Sequence, residues 1–301
     1  MQKIIPHLWF DTQALEAAEF YTAIFPNSEI THDSVLKDTP SGDAQMVSFN
    51  LDGFSFMAIS AGPLFKFNPS ASFMLNFDPS KDDTAAEHLN ELWENLADGG
   101  EVLMPLQEYP FSKRYGWIQD KFGVSWQLIL TNPEGEERPF IIPSLLFVDK
   151  SAGKAEEAVN FYRSVFKNSR LGQLQHYGPN QEPNKEGTVM FSDFKLEDTW
   201  FVAMDGAMEH GFQFNEAVSF MINSEDQAEI DYLWEKLSAV PEAEQCGWLK
   251  DKFGLSWQVV PAEMQKMMGE GSEEQITRVT EAFLQMKKFD LAALKQAYDT
   301  E

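Results

Sequence analysis

A histidine that could do chemistry lies in a segment typical of a β-strand. His7 stands in the short apolar run IIPHLWF, two residues after Ile5 and two before Trp9. Because side chains alternate along a strand, these three residues would share one face. An imidazole on that face could bind a ligand or act as an acid or base near neutral pH. The alternative is a hydrogen-bonded cavity histidine without chemistry.

Two neighbouring cations form a second candidate site. Lys113 and Arg114 lie in the segment PLQEYPFSKRYGW, beside Tyr115 and close to Trp117, in a chain that is otherwise strongly acidic. A cation pair next to aromatic rings could hold an anionic group of a small ligand. The alternative is a solvated loop whose charges improve solubility.

A third candidate, Gln127, ends a segment that the chain contains twice. GWIQDKFGVSWQ at 116–127 returns as GWLKDKFGLSWQ at 247–258. Three more blocks repeat in the same order: IIPHLWF and IIPSLLF, EFYTAIFPNS and NFYRSVFKNS, FKFNPSASFMLN and FQFNEAVSFMIN. Chance matches do not keep their order, so the pattern indicates a duplicated domain.

The duplication sets the predicted domain boundaries. We predict one domain over 1–132, a second over 139–263 and a separate tail over 264–301. The segment TNPEGEERP between the copies is rich in Pro, Gly and charge, which is typical of a linker.

Within the first copy, strand and helix patterns alternate. KIIPHLWF and SASFMLNFD are predicted strands, and ALEAAEFYTAIF and TAAEHLNELWENLADGG are predicted helices. AQMVSFNL with FSFMAIS, joined by Asp-Gly, predicts a hairpin. YGWIQDKFGVSWQLIL predicts another, with a tight turn between Asp120 and Gly123. In its last strand, Trp126 should be covered by a helix and Gln127 should face the opposite side.

The tail has helix signals of its own. Ser272 and Gln275 match a capping box ahead of a helix with apolar residues at helical spacing. Asp290 can cap a second helix, LAALKQAYD. Both helices are expected to pack on a domain face or on a second subunit.

The charge balance limits the partners. The 301 residues include 23 Lys and Arg against 48 Asp and Glu, a formal charge of −25. Such a surface repels phosphate backbones and anionic lipid, so we expect neither nucleic acid nor membrane partners. The single cysteine and the lack of a signal-like amino terminus predict a cytoplasmic location. Cys246 is interpreted as a small buried residue, and Met57 and Met74 as core residues.

These motifs resemble a known family. IIPHLWF, EFYTAIFPNS, VLMPLQEYPFSKRYGW and DKFGVSWQL are similar to the PhnB-like branch, often labelled 3-demethylubiquinone-9 3-methyltransferase, of the vicinal oxygen chelate superfamily. The resemblance implies an α+β fold with tandem glyoxalase-like domains. Each domain would consist of two βαβββ modules that form a curved, half-open sheet, with C-terminal helices added.

The resemblance also implies where a divalent metal would bind. In the first copy the family's ligand positions match His7, Ser72 and Gln127, and in the second copy Ser144, Ser219 and Gln258. Catalytic divalent ions usually need about three imidazole or carboxylate ligands. We therefore expect no cofactor; if a metal binds, His7 and Gln127 are its candidate ligands. The methyltransferase label is disfavoured because the chain has no G-x-G-x-G run.

Three functions follow as hypotheses. The first is a small-molecule binding protein with a single cup in the first domain. Its candidate lining residues are His7, Trp9, Ser72, Arg114, Tyr115, Trp117 and Gln127. The second is a metal-dependent lyase, isomerase or dioxygenase, and the third is a structural or partner-binding role of the tail. A homodimer is possible, and the sequence leaves open whether any reaction is catalysed.

Overall fold

The computed structural model describes residues 2–39, 42–132 and 134–300. Met1 of the first predicted domain, Pro133 of the predicted linker and Glu301 of the predicted tail lie outside the described residues. Among the described residues, no helix combines the length and apolar character needed to cross a membrane.

The first copy has two modules of one strand, one helix and three strands. Its elements are β1 (Ile4–Phe10), α1 (Ala14–Ile24), β2 (Glu29–Thr39), β3 (Gly42–Leu51), β4 (Phe54–Ser60), β5 (Ala71–Phe77), α2 (Ala85–Ala97), β6 (Glu101–Tyr109), β7 (Ser112–Gln119) and β8 (Ser125–Leu130). The predicted strands, helices and hairpins of this copy are all present. The strands β2 and β6 were not recognised from the sequence, because neither has a clear apolar alternation.

The second copy repeats this order with one strand fewer. Its elements are β9 (Ile141–Phe147), α3 (Ala155–Val165), β10 (Ser169–His176), β11 (Val189–Leu196), β12 (Thr199–Asp205), β13 (Val218–Ser224), α4 (Gln227–Leu237), β14 (Trp248–Lys250) and β15 (Ser256–Pro261). The last module has no counterpart of β6 among the described residues, because the shortened segment there forms a 3-10 turn at Pro241–Ala243.

The described strands form two sheets, and each sheet contains one module from each copy. The strand order is β14-β15-β13-β1-β4-β3-β2 in the first and β10-β11-β12-β9-β5-β8-β7-β6 in the second. The copies meet where β1 pairs antiparallel with β13, and β5 with β9. The α+β class and the curved sheets are confirmed, but the two modules of one copy do not share a sheet.

The reason for this arrangement is the burial of apolar faces. The two modules of one copy pack face to face, so that the rings of Phe56 on β4 and Phe73 on β5 lie 5.0 Å apart between centroids. One continuous hydrophobic core lies between the sheets. Strand edges left open by this packing are completed by the other copy, which satisfies their backbone hydrogen bonds.

A buried polar cluster fixes each closing hairpin to a helix. The Asp120 carboxylate accepts hydrogen bonds from the Tyr21 hydroxyl at 2.7 Å and the Trp126 indole at 2.8 Å. It also accepts from the backbone of Val124, and Gly123 takes a φ of +89° in the predicted turn. Burial raises the pKa of Asp120, while these hydrogen bonds act in the opposite direction. Asp251 repeats the cluster in the second copy with Tyr162 and Trp257.

The tail forms three helices, one more than predicted. They are α5 (Ala262–Glu270), α6 (Glu273–Leu284) and α7 (Leu291–Asp299). The capping box of Ser272 and Gln275 and the cap at Asp290 are both present. Helix α5 follows β15 directly, and its apolar residues pack with those of α6 and α7 in a small cluster of their own.

Candidate functional site

His7 is buried at the centre of the first sheet. On β1 it pairs with Ser219 of β13 on one side and Met57 of β4 on the other, and it is 3% exposed. Its ring meets the Trp248 ring edge-on, with 5.4 Å between centroids. Burial lowers the pKa of His7 to about 4, so the imidazole is neutral at pH 7. Its Nδ1 atom has no hydrogen-bond partner among the described residues.

The concave face around His7, which we call the His7 cup, encloses a cavity of about 880 Å³. The cavity reaches from β1 and β4 to the neighbouring strands and to the tail helices. Its walls are mostly apolar, with a few polar groups between them. Lining residues from the sheet include Trp9, Met46, Met57, Ile59, Trp248 and Gln258, and those from the tail include Met264, Met268, Ile276, Phe283, Leu284 and Phe289.

Gln258 supplies a second polar group to this cup. Its Nε2 donates to the hydroxyl of Ser219 at 2.9 Å, which orients the amide. In the other copy the tyrosine hydroxyl of Tyr115 donates to the corresponding glutamine, but here the matching residue is Cys246. The Cys246 thiol lies instead near Gln245 and the carbonyl oxygen of Leu284. The amide oxygen of Gln258 therefore has no donor equivalent to Tyr115.

The concave face of the second sheet, which we call the Gln127 cup, has a closed polar network. The Tyr115 hydroxyl donates to Gln127 Oε1 at 2.7 Å. Gln127 Nε2 donates to the hydroxyl of Ser72 at 2.8 Å and to that of Ser144 at 3.3 Å. Both ends of the glutamine amide are thus paired with protein groups, and Gln127 is 1% exposed.

Side chains of the chain itself also fill the Gln127 cup. Arg138 from the linker places its guanidinium 3.9 Å from the centroid of the Trp200 ring and pairs with Asp193 at 2.6 Å. Matching the strand registers shows that Trp200 and Asp193 occupy the positions of Ser55 and Ser48, which line the cavity of the His7 cup. Large and charged residues thus replace two serines.

The structure therefore divides the predicted site residues between two cups. His7 and Trp9 lie in the His7 cup, whereas Ser72, Tyr115, Trp117 and Gln127 lie on the other sheet. The prediction of one first-domain cup that contains all of them is wrong, because each cup takes one module from each copy.

Arg114 is also placed differently from the prediction. It lies on β7 directly before Tyr115, and its Nε donates to Asn90 of α2 at 2.7 Å. Strand alternation puts it on the helix-covered face of the sheet, while Tyr115 faces the cup. An anion held jointly by Arg114 and the aromatic residues of the cup is not supported by this geometry.

Some lining residues were missed because they come from distant parts of the chain. Met57 was interpreted as core, but it lines the cavity beside His7. Gln258 was matched to a ligand position of the second copy, Trp248 was given no role, and the apolar residues of the tail were expected only to pack on a domain face or a second subunit. The repeat identified Gln258 as the counterpart of Gln127. It did not show whether the first strand of the same copy or that of the other copy would share a sheet with Gln258.

The donor set does not fit the divalent metal that the fold family implies. In the His7 cup the ligand positions hold one imidazole, the hydroxyl of Ser219 and the amide of Gln258; the Gln127 cup has two serines and a glutamine. Neither set contains a carboxylate, which such ions favour. Among the described residues, no three His, Cys, Asp or Glu side chains are grouped so that they could hold a metal. His7 and Gln127 lie on different sheets, so they do not form the predicted ligand pair.

Solved structures that match most of the chain define its fold class. Glyoxalase I from Zea mays is 12% identical, with a TM-score of 0.52, and the match covers 88% of this chain and 96% of that protein. A point mutant of the same plant enzyme gives 14% identity, a TM-score of 0.53, and coverage of 87% and 95%. At this identity the likeness shows the fold alone, which is the two-domain glyoxalase fold.

The family follows from the sequence. The family model described as 3-demethylubiquinone-9 3-methyltransferase matches residues 2–129 and again residues 139–260. The chain therefore belongs to this family and contains its domain twice. A PhnB protein from Bacillus cereus is 37% identical over 43% of this chain and 100% of its own length, with a TM-score of 0.39. No curated protein matches.

Proposed function

We propose that this protein binds a small organic molecule in the His7 cup. The observation that carries the proposal is the cavity of about 880 Å³ against which a buried, neutral histidine lies with an unpaired ring nitrogen. Ligand sites are commonly concave, mostly apolar cavities of this size with a few convergent polar groups. An unpaired polar atom in such a place costs free energy unless a partner is supplied.

The Gln127 cup supports the assignment by contrast. Its glutamine amide is fully paired, and the Arg138 and Trp200 side chains occupy the space that is open in the His7 cup. The proposal therefore assigns one ligand site to each chain. The donor set favours binding without a metal, and the family's name alone does not assign methyl transfer to this chain.

The experiment fills the cavity with the residue that the other cup already has. Ser55→Trp places an indole where the second sheet carries Trp200. Protein purified from cells would be denatured, and the released small molecules identified by mass spectrometry. We expect a compound that wild type carries in near-stoichiometric amount and that Ser55→Trp lacks.

The control makes the same change away from the cavity. Ser80→Trp lies in an exposed loop and should retain the compound. If wild type and Ser55→Trp release the same compounds in the same amounts, or if both release none, the proposal is wrong. Thermal unfolding of both variants checks that they are folded.

A further inference from the structure

The tail covers the open side of the His7 cup. The two edge strands of the first sheet are β2 and β14, and the apolar cluster of the tail packs against Leu36 of β2 and against Cys246 beside β14. The tail thus spans the mouth of the cup from edge to edge. It lies beyond both family-model matches, the second of which ends at residue 260.

Backbone hydrogen bonds hold the tail at the edge where the last module lacks a strand. Cys246 N donates to Met286 O at 2.8 Å, and Gly247 N donates to Lys287 O at 2.7 Å. In the second sheet, β6 pairs with β7 at the corresponding place. The side chain of Gln227 adds two bonds, donating to Phe289 O and accepting from Leu291 N. A molecule in the cavity is therefore enclosed between the sheet and the tail.

The enclosing walls, as far as the structure describes them, contain no buried cation. No lysine or arginine side chain of the described residues lines the cavity. Of its two lining histidines, His7 is neutral at pH 7 and His32 is exposed at the rim. Of the two lining carboxylates, Glu216 is paired with Lys250 at 2.8 Å, and Glu242 is exposed. A buried charge without a partner carries a large desolvation cost, so the interior disfavours an ionic ligand.

Most polar groups of the cavity interior are neutral and come from the sheet side; the tail adds Gln265, whose amide donates to Asn223 at 2.8 Å. His7 and the amide of Gln258 are both next to Ser219. The opposite wall, made by α5 and α6, includes methionine, isoleucine, leucine and phenylalanine side chains. The site is thus polar on the sheet side and mainly apolar along the tail.

We propose that the ligand is an uncharged, mainly apolar molecule with one hydrogen-bonding group, held between the His7 and Gln258 side chains and the tail helices. The inference rests on the proposed function and specifies its ligand class. The tail is then a wall of the binding site, and its side chains select the ligand.

The test uses three naphthalene compounds that share the ring system and carry a small side group that is neutral, cationic or anionic: 2-naphthylmethanol, 2-naphthylmethylammonium and 2-naphthoate. Affinities for the full-length protein would be measured by calorimetry at pH 7. We expect the alcohol to bind at least tenfold more tightly than either ion, and Ser55→Trp to abolish that binding. The proposal is overturned if an ion binds as tightly as the alcohol, or if none of the three binds.

A charge placed on the tail tests the wall directly. Met268 lines the cavity from α5, so Met268→Lys should weaken the binding of 2-naphthylmethanol. The ratio of the 2-naphthoate affinity to the 2-naphthylmethanol affinity should rise at least tenfold. Met208→Lys makes the same change at a residue that is 60% exposed and outside this cavity, and should leave both affinities unchanged. Equal effects of the two variants would show that the tail does not contact the ligand.

The outcomes separate this inference from the proposed function. If 2-naphthoate binds best and Ser55→Trp blocks it, the site exists but its ligand class is different. If Ser55→Trp changes neither the released compounds nor the naphthalene affinities, the site itself is wrong. If Met268→Lys fails to fold, the comparison of the three compounds on wild type still decides the ligand class.

Discussion

At the scale of single residues, a few substitutions between the copies make the Gln127 cup more crowded than the His7 cup. Where the first sheet has Ser48 and Ser55, the second has Asp193 and Trp200, and the linker adds Arg138 above the indole. Interior space in proteins is close-packed, so side chains of this size remove a cavity of ligand dimensions. At the position of Ser144 in the second copy, the first copy has His7. The imidazole therefore lies in the cup that has the cavity.

The buried state of His7 predicts a pH effect on stability. The unfolded ring takes up a proton near pH 6.5, whereas the folded ring stays neutral down to about pH 4. This contribution to stability is therefore complete above pH 6.5 and is lost as the pH falls toward 4. Between pH 7 and pH 5, wild type should lose about 2 kcal/mol more unfolding free energy than His7→Gln, measured by urea denaturation.

The control for this prediction is an exposed histidine with the opposite shift. The hydrogen bond to Asp82 raises the pKa of His88, so its contribution is present at low pH and lost as the pH rises. His88→Gln should change the pH dependence little, and in the opposite direction. Equal pH dependence in wild type and His7→Gln would show that the ring is protonated normally in the folded protein.

At the scale of elements, a tight contact between Gly247 and Phe289 adds to the hydrogen bonds that attach the tail helices to the sheet. Gly247 has a φ of +82°, and a Cβ there would lie 2.5 Å from the ring of Phe289, which is 2% exposed. Because the glycine precedes β14 and the phenylalanine precedes α7, this contact joins the edge of the sheet to the tail. A side chain at position 247 would displace the ring or lift the tail.

Gly247→Ala is therefore expected to loosen the tail. Gly254→Ala is the matched control, since Gly254 has a φ of +90° and no atom within 4 Å of an added Cβ. Both variants introduce backbone strain of about 1 kcal/mol or more. Only Gly247→Ala adds the collision, which costs about 1–3 kcal/mol further. Urea denaturation and limited proteolysis of the tail measure the difference, and equal results for the two variants would contradict the contact.

At the scale of the whole molecule, neither copy completes its own sheets. β1 hydrogen-bonds to β13 and β5 to β9, so each described sheet has its centre at a junction between the copies. The His7 cup takes His7 from the first copy and Gln258 from the second. Duplication in one chain thus keeps both halves of the cup at a fixed ratio and at high effective concentration.

Separated halves should reveal this dependence. Residues 1–132 and 139–300 produced alone would keep the strand pairs within each module but leave β1 and β5, or β9 and β13, with one open edge each, so we expect self-association instead of folded monomers. Mixed halves should form a one-to-one complex with the size of the intact chain, measured by light scattering. A chain cut once within the linker is the control and should keep its size. A stable, folded monomer of residues 1–132 would contradict the shared sheets.

Much of the fold could be predicted from the sequence because its signals are local. The repeat, the apolar strands, the Asp120 turn and the helix caps depend on neighbouring residues. The expected family and α+β class were confirmed, because the repeated motifs cover most of the chain. Arg114 shows the limit within one hairpin: strand alternation separates it from Tyr115 only once this segment is known to be a strand instead of a loop, and its partner Asn90 comes from α2.

The sequence by itself determined that a domain is repeated and where its apolar strands lie. Only the tertiary structure decided which strands share a sheet. The local sequence does not favour one pairing of distant strand edges over another, and the burial of apolar faces selects among these pairings. That choice put His7 beside Gln258 instead of Gln127. It also placed the tail helices over the cavity, because the open cup beside β14 left apolar surface for them to cover.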